Sequence, residues 1–279
     1  IVGLVLGAFA KFSFFKEDSV IPDFVRQWFD SLLPIMLLIA GGWLIVQVAG
    51  VDVAGAVQAV FMPLQSALTS PVGFVFFCFL KCFIYSMGIS TWVLTPVDEP
   101  VKLAVITANL ELVAAGIATY QNLGIFTETF MFCTYLWIGG VGCTLSLCLL
   151  MMFICKSSEL KALGRACVVP GIFNINEPII FGAIAWNPLL MLPMWLQGII
   201  LPIVTYIFTK VIPFAPIPRI QFDLWYCPYP ISTFIATQGS ITGVIFAILT
   251  FVLSAVIWFP FVKAYDDQKV KEETAAIKA

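Results

Sequence analysis

The chain has 279 residues, 61% of them hydrophobic and only 11% charged, against about 25% charged in an average soluble domain. A mean hydropathy of +1.02 and 26 phenylalanines exclude a soluble globular protein. The net charge of −2 says little about partners, and no basic run suggests nucleic acid. The expected fold class is all-α: a polytopic membrane protein with transmembrane helices, re-entrant hairpins and an amphipathic interfacial helix. Uncharged windows such as Leu32–Val51 and Leu224–Val262 reach or exceed the ~20 residues that cross a bilayer core. They do not resemble the alternating strands of an outer-membrane barrel.

In chain order, Ile1–Ala10 reads as the end of a transmembrane helix. The start at Ile-Val-Gly, without a signal-peptide pattern, suggests a fragment of a longer protein whose earlier helices are absent. Lys11–Asp30 mixes charges with Phe12, Phe24, Trp28 and Phe29, which suits a helix lying in the interface, or a simple loop. Ser31–Gly50 is a predicted transmembrane helix, with Gly41 and Gly42 as close-packing positions. Asp52–Ser70 reads as a connecting helix along the surface. Pro71–Leu80 is apolar until Lys81 interrupts it. Met87–Pro96 is then either a second wall of a transport cavity, as part of a re-entrant hairpin near 78–97, or a surface loop. Val101–Thr119 has helical spacing, but Lys102, Asn109 and Glu111 make it a poor lipid-facing span, so it is expected to pack within protein.

Phe126–Cys155 reads as one transmembrane helix, with Gly139, Gly140 and Gly142 as helix-packing positions. Lys156–Arg165 reads as a basic cytoplasmic loop. Asp266–Ala279 reads as a cytoplasmic tail, so an even number of crossings must separate the two. Trp186–Thr209 and Ser240–Val262 supply two. That leaves Val168–Ala185 to dip in and return on the same side, a re-entrant hairpin near 168–185. Within it Glu177 is the only charge between Arg165 and Lys210, flanked by Asn174, Asn176 and Pro178. A carboxylate at membrane depth is costly and marks a functional site. A proline-broken backbone there survives only where it lines a cavity or is covered by protein. Lys210–Arg219 holds three prolines and reads as a connection. Beyond it, Trp225, Tyr226 and Tyr229 are either an interfacial belt or sugar-stacking faces, beside Ser232, Thr233, Thr237 and Gln238.

The eight cysteines lie mostly in apolar windows and read as small hydrophobes. With no histidine in the chain, no metal site, cofactor or disulfide framework is expected.

Trp137–Leu147 (WIGGVGCTLSL), Lys156–Arg165 (KSSELKALGR), Val169–Gly182 (VPGIFNINEPIIFG) and Asn187–Pro193 (NPLLMLP) together resemble the membrane IIC component of the bacterial phosphotransferase system, lactose/cellobiose/diacetylchitobiose family. Trp225–Gly239, Trp258–Asp266 and Val20–Pro34 fit the same pattern, so the resemblance covers about residues 1–267. It implies a bacterial cytoplasmic-membrane permease that binds a disaccharide and translocates it for phosphorylation by a phosphorylated IIB partner. It also implies a homodimer in the full-length protein, and a substrate-binding domain over 31–267 between an N-terminal linker (1–30) and a cytoplasmic tail (268–279). Glu177 of the NEP motif becomes the sugar-hydroxyl ligand and tentative catalytic residue. Asn174, Asn176, Ser90, Thr91, Trp225 and Thr237 join it as expected substrate-binding residues. Where the family carries Gly-Ile-His-Gly, this chain reads Gly88-Ile89-Ser90-Thr91. Serine binds hydroxyls but does not titrate near neutral pH, which opens a second reading, a sugar sensor or facilitator without phosphorylation. A third is an ion-coupled secondary transporter with a proton on Glu177. Lys81 is the one expected cation in the cavity.

Overall fold

The computed structural model describes residues 2–9, 13, 15 and 23–278, and every regular element in them is helical. The chain divides into two compact units, Ile1–Ala59 and Val60–Ala279. The first holds α1 (Val2–Ala8) and α2 (Asp23–Trp43), continued by a wide turn over Leu44–Val48, and the start of α3 (Val53–Thr69). Half of the stretch expected to lie in the interface, residues 11, 12, 14 and 16–22, falls outside the described residues. Its end, from Asp23, is not a separate segment but the first turns of α2.

In the second unit, α4 (Pro71–Ser86) leaves α3 at a bend of 89° between Thr69 and Pro71. Proline fits the first helical turn, where its missing N–H costs nothing, and Ser70 caps by accepting from the Gly73 N–H at 3.0 Å. Lys81 does not interrupt this helix, because its charge is neutralised by Asp98 at 2.7 Å. A tight 3-10 turn, Thr91–Leu94, leads into α5 (Thr95–Ala114), which buries one face holding Asp98, Lys102 and Asn109 and leaves Leu103 and Leu110 on the other face exposed.

The expected span Phe126–Cys155 is broken. It consists of α6 (Glu128–Cys133), an irregular run over residues 134–143, and α7 (Thr144–Phe153). The reason is conformational: Gly139, Gly140 and Gly142 sit at φ of +86°, +93° and +89°, which L side chains rarely adopt. These glycines turn the chain rather than pack helices. The supposed loop Lys156–Arg165 is also corrected. Ser157 accepts from the Leu160 N–H at 3.2 Å and starts α8 (Ser158–Ile172). After a four-residue break comes α9 (Glu177–Ile179), widening over Ile180–Ile184. A Cβ on Gly182 would lie 3.1 Å from Leu163 Cδ1, so the segment has folded back along α8.

α10 (Pro188–Tyr206), with its wide last turn Ile207–Val211, packs on α4 and on α12 (Ile241–Lys278). In chain order α11 (Ile231–Ala236) lies between α10 and α12, and it packs on α12 and α6. α12 packs in turn on α7, and α7 on α8. Gly198 lets α10 approach α4 until an added Cβ would stand 2.8 Å from Phe79 Cα. The charged residues after Val262, to Lys278, continue α12 as helix. Among the described residues three helices are long and apolar enough to cross a membrane, Trp28–Val48, Pro188–Val211 and Ile241–Ala276, or four if the bent α3–α4 pair counts as one span. All eight cysteines are free thiols, seven of them buried.

Candidate functional site

The break between α8 and α9 and the glycine run of residues 134–143 face each other, and two asparagines fasten them. Asn174, in the left-handed conformation at φ +60°, accepts from the Gly139 N–H at 2.7 Å and donates to the carbonyls of Trp225 and Phe132. Asn176 donates to the Val141 carbonyl at 2.9 Å and accepts from the Tyr85 hydroxyl at 3.3 Å. The run is held from its other side by α12, where Trp258 donates to the Gly142 carbonyl at 3.3 Å and Ser254 to the Cys143 carbonyl at 3.2 Å. Buried irregular backbone must find such partners inside the protein, because no helix or water satisfies it there. Both asparagines are at least 94% buried and their amides are occupied by this chain. Their amides hold the frame of the site together.

The frame encloses a cavity of about 310 Å³. Glu177 stands on its wall, exposed into it, and Tyr85 lines the same wall. Thr91, Trp92 and Trp225 line it as well, so Met87–Pro96 does contribute a wall. Of the seven residues expected to bind substrate, Glu177, Asn174, Asn176, Thr91 and Trp225 meet at this cavity. Ser90 and Thr237 do not. The Ser90 oxygen instead caps the 3-10 turn, accepting from the Trp92 N–H at 3.4 Å. Thr237 is buried at the end of α11, donating to the Thr233 carbonyl at 2.6 Å.

An ion-pair network completes the wall, and sequence reasoning recovered only Lys81 of it. Lys81 pairs with fully buried Asp98 at 2.7 Å. Lys102 pairs with Glu99 and Glu128, each at 2.6 Å, and lies 3.6 Å from Asp98. The signal was present: Asp98, Glu99 and Lys102 have i,i+4 and i,i+3 spacing on a helix too polar for lipid. Their partners Lys81 and Glu128 come from α4 and α6, which spacing alone does not reveal. Lys102 is therefore a second cation of the cavity, contrary to the expectation of one.

Comparison with known proteins now identifies the architecture. The family model described as Phosphotransferase system, EIIC matches residues 1–198. This chain belongs to that EIIC family. It is 33% identical over 261 residues to the PTS system lactose-specific EIICB component of Lactococcus lactis subsp. lactis, covering 91% of this chain and 44% of the relative. It is 32% identical over 267 residues to the PTS system cellobiose-specific EIIC component of Geobacillus stearothermophilus, covering 93% and 58%. The crystal structure of the transporter ChbC, the IIC component from the N,N'-diacetylchitobiose-specific phosphotransferase system, is similar at a TM-score of 0.72 and 29% identity, covering 98% of this chain and 63% of that one. The EIIC chain thus spans about half the length of the curated relatives it matches.

Proposed function

We propose that this EIIC chain forms the sugar-binding part of a permease that takes a disaccharide across the bacterial cytoplasmic membrane and presents it to a phosphorylated IIB partner. The observation that carries the reading is the Glu177 carboxylate, held on a broken, protein-covered turn and open to a cavity with indole rings in its wall. A carboxylate accepts from two sugar hydroxyls at once, and Trp225 and Trp92 offer apolar faces to the C–H side of a ring. The volume lies within the ~300–1,000 Å³ range of small-molecule sites. The names of the relatives, lactose- and cellobiose-specific, support a disaccharide. Their EIICB and EIIC titles support a phosphotransfer partner over ion coupling or sensing alone.

In this reading the hairpins at 78–97 and 168–185 are re-entrant, and the basic start of α8 and the charged end of α12 face the cytoplasm. Ser90 is spent on capping the 3-10 turn, so it brings neither a titratable group nor a free hydroxyl in place of the family's histidine, and in this reading the IIB partner supplies the groups that neutralise charge in the transfer. Incubating the membrane-embedded protein with phosphorylated IIB and labelled disaccharide tests the proposal. Labelled sugar phosphate is expected. Saturable sugar binding without any product would favour the sensor reading, and absence of binding would refute both.

A further inference from the structure

The cavity carries more acid than base. Its wall presents the carboxylates of Glu99, Glu128, Glu177 and Asp223, against the ammonium groups of Lys81 and Lys102. Both lysines are already engaged, Lys81 by Asp98 behind the wall and Lys102 by Glu99 and Glu128. Among the described residues no ion pair joins either lysine to Glu177 or Asp223. Asp223 accepts from the Gln221 amide, a neutral donor. With no histidine in the chain, no side chain here gains a positive charge in the physiological range. Taken as a sphere, the cavity is about 8 Å across, no wider than the Debye length of ~8 Å at physiological ionic strength. Salt at physiological strength therefore weakens the field of these carboxylates at a ligand inside without abolishing it.

We propose that the cavity ranks sugars by charge, holding an amine-bearing sugar most tightly, a neutral sugar less so and a phosphorylated sugar least, with Glu177 and Asp223 as the uncompensated groups that set the order. The inference rests on the sugar-binding reading above and names what that site selects. An ammonium substituent supplies the partner that Glu177 and Asp223 lack. A phosphoryl group brings roughly 1.5 to 2 negative charges at neutral pH against a wall that already has a surplus. Phosphorylation of a bound sugar then converts a ligand into a species the wall rejects, so release follows from the charge of the product.

Equilibrium binding of three β-linked disaccharides to the purified protein in lipid nanodiscs tests this: the free diamine, the neutral sugar and its phosphate ester, at low and physiological salt. Affinity is expected to fall in that order by about tenfold per step at low salt, with the spread narrowing as salt rises. Asp223→Asn is expected to compress the spread and Asp223→Glu to keep it. Equal affinities, or a spread indifferent to salt, would overturn the charge ranking while leaving the sugar site standing. A spread unchanged in Asp223→Asn would remove that residue's role in it. If no sugar binds the wild-type protein, the sugar-binding reading falls, and the ranking with it.

Discussion

The substitution Gly140→Ala probes the frame of the site most sharply. At φ +93° an L residue is strained, by about 1–2 kcal/mol for a left-handed backbone. The new Cβ would also stand 2.4 Å from Asn176 Cγ and 2.7 Å from both of its amide heteroatoms. Asn176 cannot swing away freely, because it is tied to the Val141 carbonyl and to the Tyr85 hydroxyl. Breaking those bonds strands buried polar groups at about 1–3 kcal/mol each. The total loss expected is about 3 kcal/mol or more, read as a drop in the thermal unfolding midpoint in nanodiscs, together with weakened sugar binding. The cycle with Asn176→Ala isolates the collision. Once the asparagine is shortened the clash is gone, so the double variant should be less destabilised than the two singles added together, by at least ~1 kcal/mol. Additive losses, or a loss under ~0.5 kcal/mol for Gly140→Ala alone, would refute the contact as the cause.

Lys81→Met removes the nearer partner of fully buried Asp98 and is expected to cost about 3–5 kcal/mol, largely recovered in Lys81→Met/Asp98→Asn, as followed by chemical denaturation. Asp266, 5% exposed, accepts the N–H groups of Lys156 and Ser157 at 2.8–2.9 Å and so anchors α12 on the chain just before α8. Asp266→Ala should destabilise by about 3 kcal/mol, judged from hydrogen bonds to a charged acceptor at ~1.5–3 kcal/mol each. Gly198→Ala would press a methyl against the α4 backbone and should cost about 1–3 kcal/mol in the same unfolding assay. A maleimide in brief exposure, mapped by mass spectrometry, should label half-buried Cys227 ahead of the seven buried thiols.

The helical, membrane-embedded fold and the turn around Glu177 are legible in the sequence because prolines and an isolated charge mark them locally. The glycine run of residues 134–143 is not. Inside an apolar window, Gly139, Gly140 and Gly142 look the same whether they let helices pack or turn the chain at positive φ. Only the partners Asn174, Asn176, Ser254 and Trp258, 35 to 116 residues further on in sequence for their respective bonds, decide between the two. Lys81 misleads for the same reason. It reads as a break in α4 until Asp98, folded back from the next helix, neutralises it. The two asparagines show a different limit. Their membership of the NEP motif is plain, but their duty, bonding backbone carbonyls and not open space, depends on tertiary contacts. Ser90 and Thr237 stand out by residue type, and in each the local helix has already taken the hydroxyl oxygen, as acceptor at Ser90 and as donor at Thr237.

The Glu177 carboxylate as a sugar ligand is the central claim. Calorimetric titration of a neutral disaccharide into the wild-type protein and Glu177→Gln, in the same nanodiscs, measures it directly. The expected result is saturable binding to the wild type and an affinity lower by tenfold or more in the variant, about the ~1.5–3 kcal/mol of one charge-assisted hydrogen bond, with the unfolding midpoint unchanged. Equal affinity in the two proteins would contradict the claim.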